Sequence, residues 1–280
     1  WQVSIRMVAR SGDVFSCGGS VIHSEWVITA AHCTANRVTF VIRFGVANLT
    51  RPALLMEEED SNSYLHPLYN TWLSSVQRDD IALVKLSKTI TFGPLIQPIR
   101  LQNSQQRDFD YSGVTLTVSG FGRTDDTWNG GTASEVLMWT LLRGISNAEC
   151  RRFFPFSIHP QTICAQYYDN PSQSACQGDS GGPLTRVDED GELTMVGIVS
   201  FGSGQGCNNP IPSAYVRPGH YINWIEQTTG LVFDWTLEPP ATEAPESFHC
   251  ARCVDSEEIK KVSASLDLYQ RCLLLFIHSN

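Results

Sequence analysis

Three short patterns carry residues that could do chemistry together. Thr29-Ala30-Ala31-His32-Cys33 holds an imidazole, and Asp80-Ile81-Ala82-Leu83-Val84-Lys85-Leu86 puts a carboxylate at the mouth of an apolar run. Gly178-Asp179-Ser180-Gly181-Gly182-Pro183 sets a hydroxyl in a glycine-rich turn. A serine hydroxyl is nearly inert at neutral pH unless a base removes its proton during attack. Imidazole titrates near the working pH, so His32 could be that base. Asp80 could hold the other ring nitrogen and stabilise the protonated ring. The glycines would let a substrate approach the backbone around Ser180 closely. Each piece alone has an ordinary reading: a core or surface histidine, a turn aspartate, a hairpin. The joint occurrence in His–Asp–Ser order favours nucleophilic catalysis. Asp79 adjoins Asp80, and a one-residue strand slip would exchange them. Asp80 is preferred because it directly precedes Ile81-Ala82-Leu83.

Bringing such distant residues together requires a framework, and residues 1–217 read mostly as short strands. Trp1, Val3, Ile5 and Met7 alternate with polar residues; Val38, Phe40, Ile42 and Phe44 repeat the period of two, as do Val114, Leu116 and Val118. Broken by Gly, Asn, Asp and Pro clusters, these runs predict an all-β sandwich or barrel pair. Asp190-Gly191 marks a hairpin between residues 183–187 and 192–200. Ser146-Asn147-Ala148-Glu149 has capping-box spacing for a short helix. Tyr221, Ile222, Trp224 and Ile225 form a helical face, with Pro218 near its start and Gly230 at its end. Residues 94–106 lack periodicity and are read as the linker between two β lobes.

The character changes after Gly230. Residues 238–247 are rich in Pro, Glu, Ala and Thr, as in an extended linker. Ile259, Val262, Leu266, Tyr269, Leu273 and Phe276 then follow a 3-4-3-4-3 spacing behind the cap Asp255-Ser256-Glu257-Glu258, predicting an amphipathic helix. The expected organisation is a body over 1–229, a linker over 230–254 and a helical tail over 255–277. The body divides into a first barrel over 1–98, a second over 107–217 and a helix over 218–229. The tail helix would be free to dock in cis or on a partner.

The chain has 280 residues, 42% of them hydrophobic and 18% charged, enough to bury a sizeable core. Twenty basic residues against 29 acidic give a net charge of −9. That balance argues against nucleic acid, which needs a concentrated basic face. The longest apolar run near the end, 273–277, falls far short of the roughly 18 residues of a membrane span. There are nine cysteines; six precede residue 230, widely spaced and in no CxxC pair, which fits a disulfide-bearing, secreted protein. Asn48-Leu49-Thr50 is a glycosylation sequon. The chain opens directly on Trp1-Gln2-Val3, without a signal peptide, so a processed or truncated start is expected.

Over about residues 1–229 the sequence resembles the chymotrypsin-like, trypsin-fold serine peptidase family. The likeness rests on Cys17-Gly18-Gly19-Ser20 through Ala31-His32-Cys33, His66-Pro67-Leu68-Tyr69-Asn70 and Gly120-Phe121-Gly122. Gly178–Pro183, Ser200-Phe201-Gly202 and Trp224-Ile225 extend it. Val199-Ser200-Phe201-Gly202-Ser203 is similar to arthropod chymotrypsin and collagenolytic members. The resemblance implies two Greek-key antiparallel β-barrels, with His32 as general base then acid, Asp80 as orienter and Ser180 as nucleophile. It also implies an oxyanion hole from the amides of Gly178 and Ser180, and bridges Cys17–Cys33, Cys150–Cys164 and Cys176–Cys207. A further bridge of vertebrate digestive members is missing, since Leu116 and Arg186 occupy those places.

Specificity in this family comes from a pocket whose base falls at Ser174, six residues before the serine. A neutral base would leave a cationic side chain unpaired, which disfavours cleavage after Lys or Arg. Gly202 leaves one wall open, and Ser213 either narrows the facing wall or turns away. Cleavage after Phe, Tyr, Leu or Met is expected. Asp179 is implied as the partner of a freed N-terminal ammonium; with the chain opening at Trp1, a zymogen-like state is expected. The expected partners are peptide or protein substrates and protein inhibitors, with no cofactor. Cys250-Ala251-Arg252-Cys253 beside His249 is a single pair without a second, so no metal site is expected there. The acidic run 57–60 reads as a solvated loop rather than a calcium site. The competing reading is a catalytically silent homologue that binds partners through its surface or tail.

Overall fold

A computed structural model describes residues 1–236. The first half holds β1 (Gln2–Ala9), β2 (Val14–His23), β3 (Trp26–Thr29), a one-turn helix α1 (Ala31–Thr34), β4 (Arg37–Phe44), β5 (Leu54–Glu59), β6 (Ser63–Leu65) and β7 (Ala82–Lys85). The second half holds β8 (Arg100–Leu101), β9 (Thr115–Gly120), β10 (Met138–Ile145), α2 (Asn147–Cys150), β11 (Thr162–Tyr167), β12 (Pro183–Val187), β13 (Leu193–Phe201), β14 (Ser213–Val216) and α3 (Ile222–Thr229). Each half builds a seven-stranded sheet, ordered β5-β4-β1-β2-β3-β7-β6 and β12-β9-β10-β11-β14-β13-β8. Both contain the Greek-key order, β4-β1-β2-β3 and β12-β9-β10-β11. Pairing of β12 with β13 closes the second sheet into a barrel.

The period-two runs bury their apolar face in part: in β1 the polar alternates Gln2 and Ser4 are buried as well, and Trp1, Val38 and Val114 stay half-buried. Ile5, Phe40, Ile42 and Phe44 are fully buried in the first core, and Leu116 and Val118 in the second. The Asp190-Gly191 hairpin joins β12 to β13, with Gly191 at φ +83°. Ser146 caps α2 by accepting from the Glu149 amide at 3.1 Å. Helix α3 buries Ile222 and Ile225 and ends at Gly230 in the left-handed conformation.

Two stretches read as linkers are structured. Within residues 94–106, β8 pairs in parallel with β13, Thr194 opposite Arg100 and Met195 opposite Leu101. Residues 231–236 dock on the body: Leu231 and Phe233 pack against the first core, and the Trp235 indole donates to the Leu101 carbonyl at 2.7 Å. Arg100 lies over the Trp235 ring, 3.8 Å from its centroid. The remainder of the expected linker, the tail helix over 255–277, and Cys250, Cys253 and Cys272 lie outside the described residues. Among the described residues, no helix is long and apolar enough to cross a membrane.

Candidate active site

His32 and Asp80 leave the same end of two paired strands. β3 and β7 are antiparallel, with Thr29 opposite Ala82, so the residues just after Thr29 and just before Ala82 meet. His32 follows on α1; its backbone amide donates to Asp80 Oδ1 and its ring Nδ1 lies against Oδ2, both at 2.8 Å. Ser200, at the end of β13, donates to the same Oδ2 at 2.5 Å. Asp80 is 4% exposed and the His32 side chain 35%. Burial alone would push the Asp80 carboxyl up. The His32 charge and the hydrogen bonds from His32 and Ser200 outweigh it and hold the carboxyl below its ordinary range. Burial likewise opposes a charged His32 ring, but Asp80 raises it net above its ordinary value. With Nδ1 fixed on a carboxylate, Nε2 is left to exchange a proton.

Ser180 lies in the loop before β12, gripped from both barrels. Its carbonyl accepts from the Gly18 amide of the first barrel, and the Gly181 amide donates to Val199 of the second, both at 2.7 Å. Gly181 is required there: its φ is +78°, and a Cβ would lie 2.1 Å from Thr29 Oγ1. Cys17, next to Gly18, is bonded to Cys33, next to His32, so one bridge ties the loop's anchor to the imidazole's strand end. The amides of Asp179, Gly181 and Gly182 have backbone acceptors, whereas among the described residues those of Gly178 and Ser180 have none. Nor does Ser180 Oγ form a hydrogen bond among the described residues. Hydrogen bonds between a nucleophile and its base are often long before substrate arrives.

Between these two free amides the Asp179 carboxylate turns inward. It accepts from Gly122 at 2.8 Å and from Cys176 at 2.9 Å. Burial dominates those bonds and pushes the carboxyl above its ordinary range. Gly120 and Gly122 make room for it, since a Cβ on Gly122 would stand 2.6 Å from the carboxyl carbon.

Beside Ser180 opens a cavity of about 110 Å³, lined among others by Ser174, Gly202, Gly206, Ile211 and Ser213. Ser213 faces inward: its hydroxyl is 2.9 Å from that of Ser174, and a Cβ on Gly202 would come within 3.7 Å of it. The base is therefore polar and neutral. Its rim is held by Asp126, whose Oδ1 accepts from the Cys207 amide at 2.5 Å, with the Asn208 amide at 3.3 Å from Oδ2. The Cys176–Cys207 bridge closes the same rim, and Cys150–Cys164 pins α2 to β11.

Sequence reasoning assigned no role to Ser200 or Asp126. Ser200 carries a faint signal, a polar residue ending the buried run Val196–Val199; Asp126 sits in an irregular loop with none. Among the described residues, two groups place acidic, histidine and cysteine side chains close together, Cys17–His32–Cys33 and Asp126–Cys176–Cys207. In both, the cysteines are joined as disulfides, whose sulfurs offer no thiolate to a metal.

Two barrels with a histidine–aspartate pair and a glycine-set serine where they meet define the trypsin-like class of serine protease. A family model described as Trypsin matches residues 1–225, and the chain belongs to that family. It is 34% identical over 220 residues to a collagenase of Hypoderma lineatum, covering 78% of this chain and 77% of the relative. It is 34% identical over 239 residues to chymotrypsin-C of Bos taurus, with 82% and 84% covered. A solved HL collagenase structure superposes with a TM-score of 0.73 at 31% identity, covering 83% of this chain and 94% of the other.

Proposed function

We propose that the protein is a secreted serine endopeptidase that cleaves after large apolar or aromatic residues through an acyl-enzyme. The observation that carries this is the two-point grip of Asp80 on His32, amide and ring both at 2.8 Å, beside a serine loop anchored to both barrels. In this reading His32 Nε2 takes the Ser180 proton as Oγ attacks the peptide carbonyl, Asp80 stabilises the imidazolium, and His32 then protonates the leaving amine. The unpaired amides of Gly178 and Ser180 receive the developing oxyanion, each such donor contributing about 3 kcal/mol. Water repeats the cycle on the acyl-enzyme.

The paired hydroxyls of Ser174 and Ser213 support the preference. They can hydrogen-bond each other beneath an apolar side chain, but neither neutralises a cation. Three disulfides among the described residues support an oxidising, extracellular setting. The partners are peptide and protein substrates and the inhibitors that mimic them.

The burial of Asp179 without a cation among its contacts from the described residues favours a narrower form of the same reading. Asp179 receives a freed N-terminal ammonium on activation, and a form lacking that charge is zymogen-like. Hydrolysis of a panel of peptide anilides varying only the residue before the scissile bond tests the function. Turnover of Phe, Tyr, Leu and Met substrates, abolished by Ser180→Ala, is expected; preference for Arg overturns the specificity.

A further inference from the structure

If Asp80 orients His32 as proposed, its own placement depends on the residue before it. Asp79 has φ +60°, the left-handed conformation that side-chain-bearing residues seldom adopt. Its carbonyl accepts from the Ile81 amide at 2.8 Å, closing a three-residue turn with Asp80 at the centre. The Asp79 side chain is held from another part of the fold. Tyr221, buried at the start of α3, donates its phenolic hydroxyl to Asp79 Oδ1 at 2.9 Å. Burial, and after it the Asp79 charge, push the Tyr221 phenol up, so it remains a donor at every working pH. His66 meets the Tyr221 ring edge-on at 5.1 Å between centroids.

The three donors on the Asp80 carboxylate fix its head, but nothing in that set fixes the backbone from which the carboxylate projects. We propose that Tyr221 and Asp79 form a positioning pair, locking the left-handed turn that aims Asp80 at His32. The pair lies on the wall of an open cavity of about 520 Å³ that also exposes His66, Gln161, His220 and Trp224. It stands outside the specificity pocket, and its effect reaches substrate only through Asp80.

The test is steady-state turnover of a Phe-anilide substrate by the full chain, with rates divided by sites titrated with a serine-directed phosphonate. That normalisation removes any unfolded fraction. Tyr221→Phe deletes one hydroxyl and is expected to lower kcat about tenfold with KM nearly unchanged, because the error lies in orientation. Asp79→Ala loses as much, and the double variant loses no more than either single one. Asp79→Asn keeps an acceptor and tolerates the left-handed conformation, so it stays within about threefold of the parent. Unchanged kcat in Tyr221→Phe, or additive losses in the double variant, overturns the pair. A parent that neither turns over nor takes up the phosphonate, even with a freed N-terminal ammonium supplied to Asp179, defeats the reading of Asp80 itself, and this inference with it.

Discussion

Ser200 of the second barrel donates its hydroxyl to Asp80 Oδ2 of the first across 2.5 Å, so the carboxylate that holds His32 is shared between the barrels. The same oxygen faces His32 Nδ1. Ser200→Ala should therefore lower kcat without emptying the specificity pocket. A loss of about ten- to hundredfold is expected, in line with a hydrogen bond to a charged group worth about 1.5–3 kcal/mol. Stopped-flow acylation rates on the variant check it.

The pH dependence follows from the directions of the two shifts. His32 must be neutral to act as a base, and Asp80 holds its pKa above the ordinary 6.5, so the acidic limb of kcat/KM should have its midpoint above 6.5. Asp80→Asn removes the raising contributions and leaves burial, so the limb should move down while kcat falls by about 10⁴. The pairing also contributes to stability within a window. For His32, raised on folding, the contribution is complete below 6.5 and lost as pH rises through the raised value. For Asp80, lowered on folding, it is present above 3.8 and lost as pH falls through the lowered value. Denaturant titrations at several pH values read this directly.

The Asp126 brace predicts a split between binding and chemistry. Asp126→Ala leaves the Cys207 and Asn208 amides without their acceptor and frees the pocket rim. KM for a Phe substrate should rise about tenfold or more, as expected for losing a buried hydrogen-bond partner worth about 1–3 kcal/mol. Acylation at saturating substrate should change little.

Gly122→Ala brings a methyl group to 2.6 Å from the Asp179 carboxyl carbon. Because Asp179 sits between the two free amides, the loop must shift. The variant should lose about 1–3 kcal/mol of stability from overpacking. Thermal denaturation and active-site titration together check whether the proposed oxyanion donors, the Gly178 and Ser180 amides, are lost with it.

The barrels are legible in sequence wherever one face is buried, as at Phe40, Ile42 and Phe44, because a period of two needs only local spacing. His32, Asp80 and Ser180 stand out because each sits in a compact, unusual local pattern, and the structure brings His32 against Asp80. β8 does not stand out, since a two-residue strand leaves no period. Leu231, Phe233 and Trp235 do alternate, but nothing local reveals that Leu101 and the first core receive them. The inward turn of Ser213 and the role of Asp126 depend on contacts with residues 39 and 81 positions away, which no local pattern encodes.

Mass spectrometry after reaction with a serine-directed phosphonate addresses the proposed catalytic site most directly. It should be run before and after a cleavage that frees an apolar N-terminal residue, the ammonium proposed for Asp179. The account predicts a single adduct on Ser180, faster after that cleavage and abolished by His32→Ala. Absence of an adduct in both forms, or an adduct on another serine that persists in His32→Ala, would contradict it.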